Sequence, residues 1–263
     1  MRVRIMRSLA TVTVVALAAA AASAEVRTKV VEYTQGNTAL EGFLAWDDAI
    51  QGARPGVLVV HQWMGLGKYE KGRAEQLAKL GYVAFCADIY GKGVRPATPE
   101  DAGKTAGIYK NDRTLTRERV NAALAQLRAN PLVDQKRIAT IGYCFGGMVA
   151  LELARSGANM AGVVVFHGDL SNPTPADDAN IKCKVLALQG GDDPFVTMKD
   201  VEAFENSMRA NHVNWQVTRY GGAVHAYTDP SAGNDNSKGV AYNAQADHRS
   251  WQAMKDFFAE IFK

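Results

Sequence analysis

The segment Gly142-Tyr143-Cys144-Phe145-Gly146-Gly147 restricts the possible folds of this chain more than any other. It joins the apolar run Ile138–Tyr143 to Met148–Ala154, which reads as helix. A G-x-C-x-G turn between a strand and a helix is tight and strained, and the helix packs closely on the sheet. Side chains at 142 and 146 would clash there, which accounts for glycine at both. Cys144 is thrust out above the sheet at the N-terminal end of the helix. That field favours thiolate, and the neighbouring N–H groups face any anion that forms. The plainer alternative is a buried structural cysteine in a glycine-rich turn, because cysteine is among the most buried residue types.

The rest of the chain alternates strand and helix as such a turn requires. Val26–Tyr33 and Leu40–Trp46 flank Gln35-Gly36-Asn37 and predict an antiparallel hairpin. Short apolar runs follow at Val57–Val60, Tyr82–Ala87, Ile138–Tyr143, Val163–Phe166, Val185–Leu188 and Trp215–Tyr220. Most lack strict apolar–polar alternation, as expected of strands covered on both faces of a parallel sheet. Between them the helical period appears, as in Val120, Leu124 and Leu127, in Val201, Phe204 and Met208, and in the final stripe Trp251, Met254, Phe257, Phe258 and Ile261. Thr98-Pro99-Glu100 opens another helix. The expectation is an α/β protein with a mostly parallel central sheet, helices on both faces and an N-terminal hairpin. With no linker, charge block or repeat, residues 25–263 are expected to form one domain.

Residues 1–24 are read apart from that domain. Met1–Arg7 is a positive region, Leu9–Ala21 an apolar run and Ala22-Ser23-Ala24 a small-x-small cleavage pattern, the layout of a secretory signal peptide cut before Glu25. Lys and Arg total 30 against 27 acids, and the excess is Arg2, Arg4 and Arg7. The remaining chain is balanced, without the basic footprint of a nucleic-acid binder. Nothing later reaches the ~18 consecutive apolar residues of a membrane span. The expected product is soluble and exported, periplasmic or secreted, with no membrane contact after cleavage; its oligomeric state is left open. Its cysteines are Cys86, Cys144 and Cys183. That count is odd and too low for a disulfide scaffold, and Cys86 and Cys183 read as packing residues. Metal-site spacings are missing. Gly65-Leu66-Gly67 and Gly91-Lys92-Gly93 lack the third glycine of a dinucleotide fingerprint, and Gly67-Lys68 is followed by Tyr69 rather than a phosphate-loop Ser or Thr. No cofactor and no metal is expected.

In open α/β sheets chemistry sits beyond the carboxyl ends of the strands. A nucleophile there needs a base, and the base an orienting group. Gly190-Gly191-Asp192-Asp193-Pro194 follows the Val185–Leu188 run, and Gly221-Gly222-Ala223-Val224-His225 follows Trp215–Tyr220. Both loops lie on the rim that carries Cys144, in the chain order nucleophile, acid, histidine. The candidate triad is Cys144, His225 and Asp193, with Asp192 left to cap the following turn. The oxyanion donors are expected to be the N–H of Phe145 and one from the loop after Val57–His61, with Trp63 the candidate. His61 ends a strand on the same rim; the other histidines carry no such signal. Trp63, Tyr90, Phe195 and Tyr227 suggest an aromatic-lined pocket.

At these residues the chain resembles the dienelactone hydrolase family of the α/β-hydrolase fold. The matching pieces are His61-Gln62-Trp63-Met64-Gly65, Ala87-Asp88-Ile89-Tyr90-Gly91, the Cys144 elbow, Gly190-Gly191-Asp192-Asp193-Pro194-Phe195-Val196, Val224-His225-Ala226-Tyr227 and the tail Ala246-Asp247-His248-Arg249-Ser250-Trp251. They run in order through nearly the whole chain after residue 24, and the cysteine elbow is the most specific. The resemblance implies hydrolysis of small esters or lactones without a cofactor, the named substrate being a carboxymethylene-butenolide. This chain departs from the family in two places. Members with Glu near the thiol are matched here by Gln62, which cannot act as a base. The family's carboxylate-binding arginines correspond to Lys92 and Asp229, so Lys92 or Arg95 is left to meet an anion and Asp229 would repel one facing the pocket. The competing readings are a non-catalytic ligand-binding module on the same scaffold and a redox thiol protein, which would need a resolving cysteine.

Overall fold

The computed structural model describes residues 25–263, so the expected signal peptide at 1–24 lies outside the described residues. β1 (Val26–Gln35) and β2 (Thr38–Asp47) form the predicted hairpin, in register from Val26 opposite Asp47 to Gln35 opposite Thr38. The turn places Gly36 at φ +54°, a left-handed conformation that suits glycine. The chain continues through β3 (Arg54–Val60), α1 (Lys68–Lys79), β4 (Val83–Ala87), α2 (Pro99–Asn111), α3 (Arg113–Ala129), β5 (Val133–Tyr143), α4 (Phe145–Arg155) and β6 (Gly162–Phe166). It ends with β7 (Lys184–Gly190), α5 (Met198–Ala210), β8 (Trp215–Tyr220) and α6 (Ala244–Ile261).

These strands make one eight-stranded sheet in the order β1-β2-β4-β3-β5-β6-β7-β8. β2 pairs antiparallel with both β1 and β4, and every pair from β4 through β8 is parallel. Both faces are buried. Leu58 and Val60 of β3 pack with α3 and α4, while Val57 and Val59 pack with α1 and α6. This two-sided burial is why the strand sequences show no alternation. From β3 the chain steps outward to β4, then back across to β5 on the other side of β3. The ends of β3 and β5 therefore lie side by side at the point where the winding reverses, where open sheets of this kind leave a crevice.

Two boundaries go beyond the sequence reading. The helix opening at Thr98 and the one carrying Val120, Leu124 and Leu127 meet at Asp112, whose side chain accepts the Leu115 N–H at 2.9 Å and starts the second. β5 also begins five residues before the apolar run, because Val133–Arg137 extends it through a partly exposed, polar end. Among the described residues no helix is long and apolar enough to cross a membrane.

Candidate active site

Cys144 sits at the N-cap of α4 with φ 54° and ψ −117°, a conformation that costs an L-residue about 1–3 kcal/mol. The flanking glycines make it attainable. A Cβ on Gly142 would lie 2.0 Å from the Gly146 carbonyl oxygen, and one on Gly146 would lie 2.4 Å from that of Val60. The strain is held by the Cys144 N–H donating to Phe166 O at 3.0 Å and the Gly147 N–H donating to Cys144 O at 3.0 Å. The thiol is half-buried at the mouth of the crevice. Cys86 and Cys183 are buried and free, and burial pushes both thiols up.

The β7 and β8 loops bring their residues to this thiol. His225 Nδ1 meets Asp193 Oδ2 at 2.8 Å, which leaves Nε2 for Cys144. The His225 backbone is pinned on both sides, its N–H donating to Gly239 O and its carbonyl accepting from Ala241, each at 3.1 Å. Asp193 Oδ1 accepts from the N–H groups of Phe195 and Val196 at 2.8 and 3.2 Å. Asp193 thus also caps the turn assigned to Asp192, which instead accepts from the Gly222 N–H. Burial opposes charge on Cys144, but the facing His225 and the Phe145 N–H outweigh it and hold the thiol below its ordinary value. Burial likewise opposes charge on His225, yet the Cys144 sulfur and Asp193 push it up to about 10. Each of the two groups therefore favours the charged form of the other.

The loop after β3 faces the elbow and is fixed from beneath. Buried Glu70 accepts the N–H groups of Gln62 and Gly67 at 3.0 and 2.9 Å. His61, fully buried and held neutral mainly by desolvation, accepts the Ile89 N–H on Nε2 and so donates from Nδ1 to Gln62 O. The Tyr90 hydroxyl donates to Trp63 O at 2.9 Å. With Gln62 N–H spent on Glu70, the Trp63 N–H has no acceptor among the described residues and is available beside that of Phe145.

A cavity of about 340 Å³ opens over Cys144. Gln62, Trp63, Phe145, Phe195 and His225 line it. Three expected pocket residues do not. Tyr90 is buried behind the wall against His61 and Phe145, where it supports Trp63. Tyr227 is fully buried and donates to Leu188 O at 3.0 Å. Lys92 is ion-paired with Glu32 of β1 at 2.6 Å, at the hairpin edge of the sheet. Arg95 donates to the carbonyls of Leu66, Gly91 and Val94. Asp229 accepts from the Gln62 amide at 2.8 Å.

Sequence reading missed Lys110 and Asp169, a pocket-lining ion pair at 3.3 Å. Asp169 lies three residues past the end of β6, so the strand-end rule reaches it; nothing local marks Lys110 in the last turn of α2. It also missed His167, buried 5.2 Å from the His225 ring between centroids and bonded through Nε2 to Thr228 Oγ1 at 2.8 Å. Among the described residues no cluster of His, Cys, Asp and Glu is arranged to hold a metal.

The model of the dienelactone hydrolase family matches residues 40–262. A protein of Synechocystis described as a putative carboxymethylenebutenolidase is 29% identical over 91% of this chain and 99% of its own. Among solved structures, one named m3DLH superposes with TM-score 0.87 at 39% identity, covering 90% of this chain and 99% of that one. Another, a dienelactone hydrolase-like promiscuous phosphotriesterase from metagenomic libraries, superposes with TM-score 0.86 at 40% identity, covering 91% and 99%.

Proposed function

The chain belongs to the dienelactone hydrolase family, with its α/β-hydrolase fold, and on that premise we propose that it hydrolyses small carboxylic esters or lactones through a thioester on Cys144. The observation that carries the reading is one line of groups on one rim: the Cys144 thiol coupled to the His225 imidazole, itself bonded to Asp193. The thiolate attacks the acyl carbon, and the carbonyl oxygen becomes an anion facing the Phe145 and Trp63 N–H groups. When the tetrahedral species collapses, the C–O bond breaks and His225 gives its Nε2 proton to the departing alkoxide. The sulfur has then lost its charge, so the buried imidazole no longer has the partner that kept it protonated. Neutral His225 can take a proton from water, which attacks the thioester and releases the acid. Thiolate and imidazolium are restored. Throughout, Asp193 fixes the tautomer and the ring plane. Gln62 takes no proton, so thiolate formation rests on His225 and the helix end.

The test is turnover of p-nitrophenyl acetate by the purified protein beside Cys144→Ala. We expect release of p-nitrophenol that the variant loses by about a thousandfold or more. Equal rates would reject the mechanism, and ligand binding without turnover would favour the binding-module reading. The relative described as a phosphotriesterase brings a second reading, attack of the same thiolate on phosphorus. Cys144-dependent release of p-nitrophenol from diethyl 4-nitrophenyl phosphate would support it. We propose in addition that the protein works after export, on the strength of the signal-peptide pattern at 1–24. Recovery of a mature N-terminus at Glu25 from the extracytoplasmic fraction is the expected result; an uncut cytoplasmic chain would refute it.

A further inference from the structure

Fixed charge around the cavity is cancelled rather than directed at a ligand. Lys110 and Asp169 both line it, and their ion pair at 3.3 Å sets opposite charges side by side. Cys144 and His225, each shifted toward the charge opposite to the other's, likewise offset each other. The two cations that the sequence offered for an anion are engaged elsewhere: Lys92 is paired with Glu32, and Arg95 is spent on backbone carbonyls. Behind Gln62 stands the carboxylate of Asp229, at 2.8 Å from the amide nitrogen. Most other lining side chains are apolar. Phe195, 62% exposed, sets its ring edge to face with His225 at 5.4 Å, and Trp63, 37% exposed, lines the same mouth. A carboxylate entering this space would shed water without gaining an unpaired cation, and burying an uncompensated charge is unfavourable.

We infer that the site selects uncharged, apolar esters, and that Asp169 is the specificity-determining residue that keeps Lys110 from recruiting anionic ones. The inference rests on the ester-hydrolase reading above and names its substrate class. An ester group is neutral, its aryl or alkyl portions fit between Trp63 and Phe195, and the only charge it develops is the oxyanion that Phe145 and Trp63 N–H groups meet. Asp169 is suited to this work because its other oxygen accepts the Ser171 N–H at 2.9 Å, which holds the carboxylate at the rim.

The experiment compares methyl 4-acetoxybenzoate with 4-acetoxybenzoate, each kcat/KM divided by that ester's hydroxide-catalysed rate constant. The unaltered protein is expected to prefer the neutral ester by more than tenfold. Asp169→Asn keeps the turn-capping oxygen but frees Lys110, and should narrow the preference about fivefold or more. Lys110→Met should widen it, and serves alone if Asp169→Asn does not fold. Equal use of the two esters by the unaltered protein, or a preference unmoved by either variant, overturns the inference while leaving the hydrolase reading intact. Failure of Cys144→Ala to reduce turnover of the neutral ester is the separate outcome that removes the hydrolase reading and this inference with it.

Discussion

Cys144 and His225 each hold the other's charge, so the pair should be visible as a window in pH. The thiol is lowered from its ordinary value, so its contribution to stability is present above that ordinary value and is lost as pH falls through the lowered one. The imidazole is raised from 6.5 to about 10, so its contribution is full below 6.5 and is lost as pH rises through about 10. Between the two folded values the ion pair persists. Alkylation of Cys144 by iodoacetamide, followed by mass spectrometry, should therefore reach its plateau at a lower pH than an ordinary thiol does. His225→Ala removes the partner, and we expect the rate at pH 7 to fall about tenfold or more, with a rise toward high pH. An unchanged profile in that variant would mean that the helix end alone sustains the thiolate. Cys144, Asp193 and His225 were legible in the sequence because each follows a recognisable strand, and strand ends share a rim. Tyr90, Lys92 and Tyr227 were misplaced because a residue can follow the right strand and still turn away from the cavity. Tyr227 is two residues past His225, yet its hydroxyl is drawn inward to Leu188 O.

At the scale of the element, the elbow depends on contact between α4 and β3 that leaves no room for a methyl group. Gly146→Ala would set a Cβ 2.4 Å from Val60 O and 2.6 Å from His61 O, both backbone atoms that cannot rotate away. We expect a loss of about 3 kcal/mol or more, or no folded protein, read as the shift in urea midpoint. Gly72 provides the opposite sign. It lies inside α1 with nothing within 4 Å of its added Cβ, so Gly72→Ala should stabilise by about 0.5–1 kcal/mol through helix propensity. A Gly146→Ala protein as stable as the parent would show that the elbow can relax. The same comparison explains what was readable. The five strands β3 to β7 announced themselves as apolar runs because both their faces are covered, whereas β8, at the sheet edge, has no buried residue. The boundary between α2 and α3 did not announce itself, because Asp112 is one polar residue between two helical patterns, and only its bond to Leu115 N–H starts the second.

Across the whole molecule, the helix that carries the nucleophile is secured at its far end by buried charge. Glu152 of α4, fully buried, accepts from Arg113 and Arg117 of α3 and from Arg155 one turn on, at 3.4, 2.8 and 3.1 Å. Arg155, also fully buried, continues to Asp178 at 2.7 Å, and Asp178 accepts from Ser207 of α5. One carboxylate thus ties α3 and α4 together and, through Arg155, reaches the 175–180 turn and α5. None of these residues lines the active-site cavity. Sequence could not reveal the cluster, since its members are scattered over nearly a hundred positions and each alone reads as a solvated helix face. Removing a single member of a buried ionic group leaves its partners desolvated and unpaired, which costs about 3–5 kcal/mol. Glu152→Gln should therefore lower stability by that order in urea, and added salt should recover little of it because a buried pair is poorly screened. Cys144 alkylation in the variant, measured well below its unfolding transition, should keep the parent pH profile. A large stability loss with an unchanged thiol profile would place the cluster in the frame that holds α4. A shifted profile would instead mean that the ion network reaches the nucleophile along the helix, and that site and frame are one electrostatic unit.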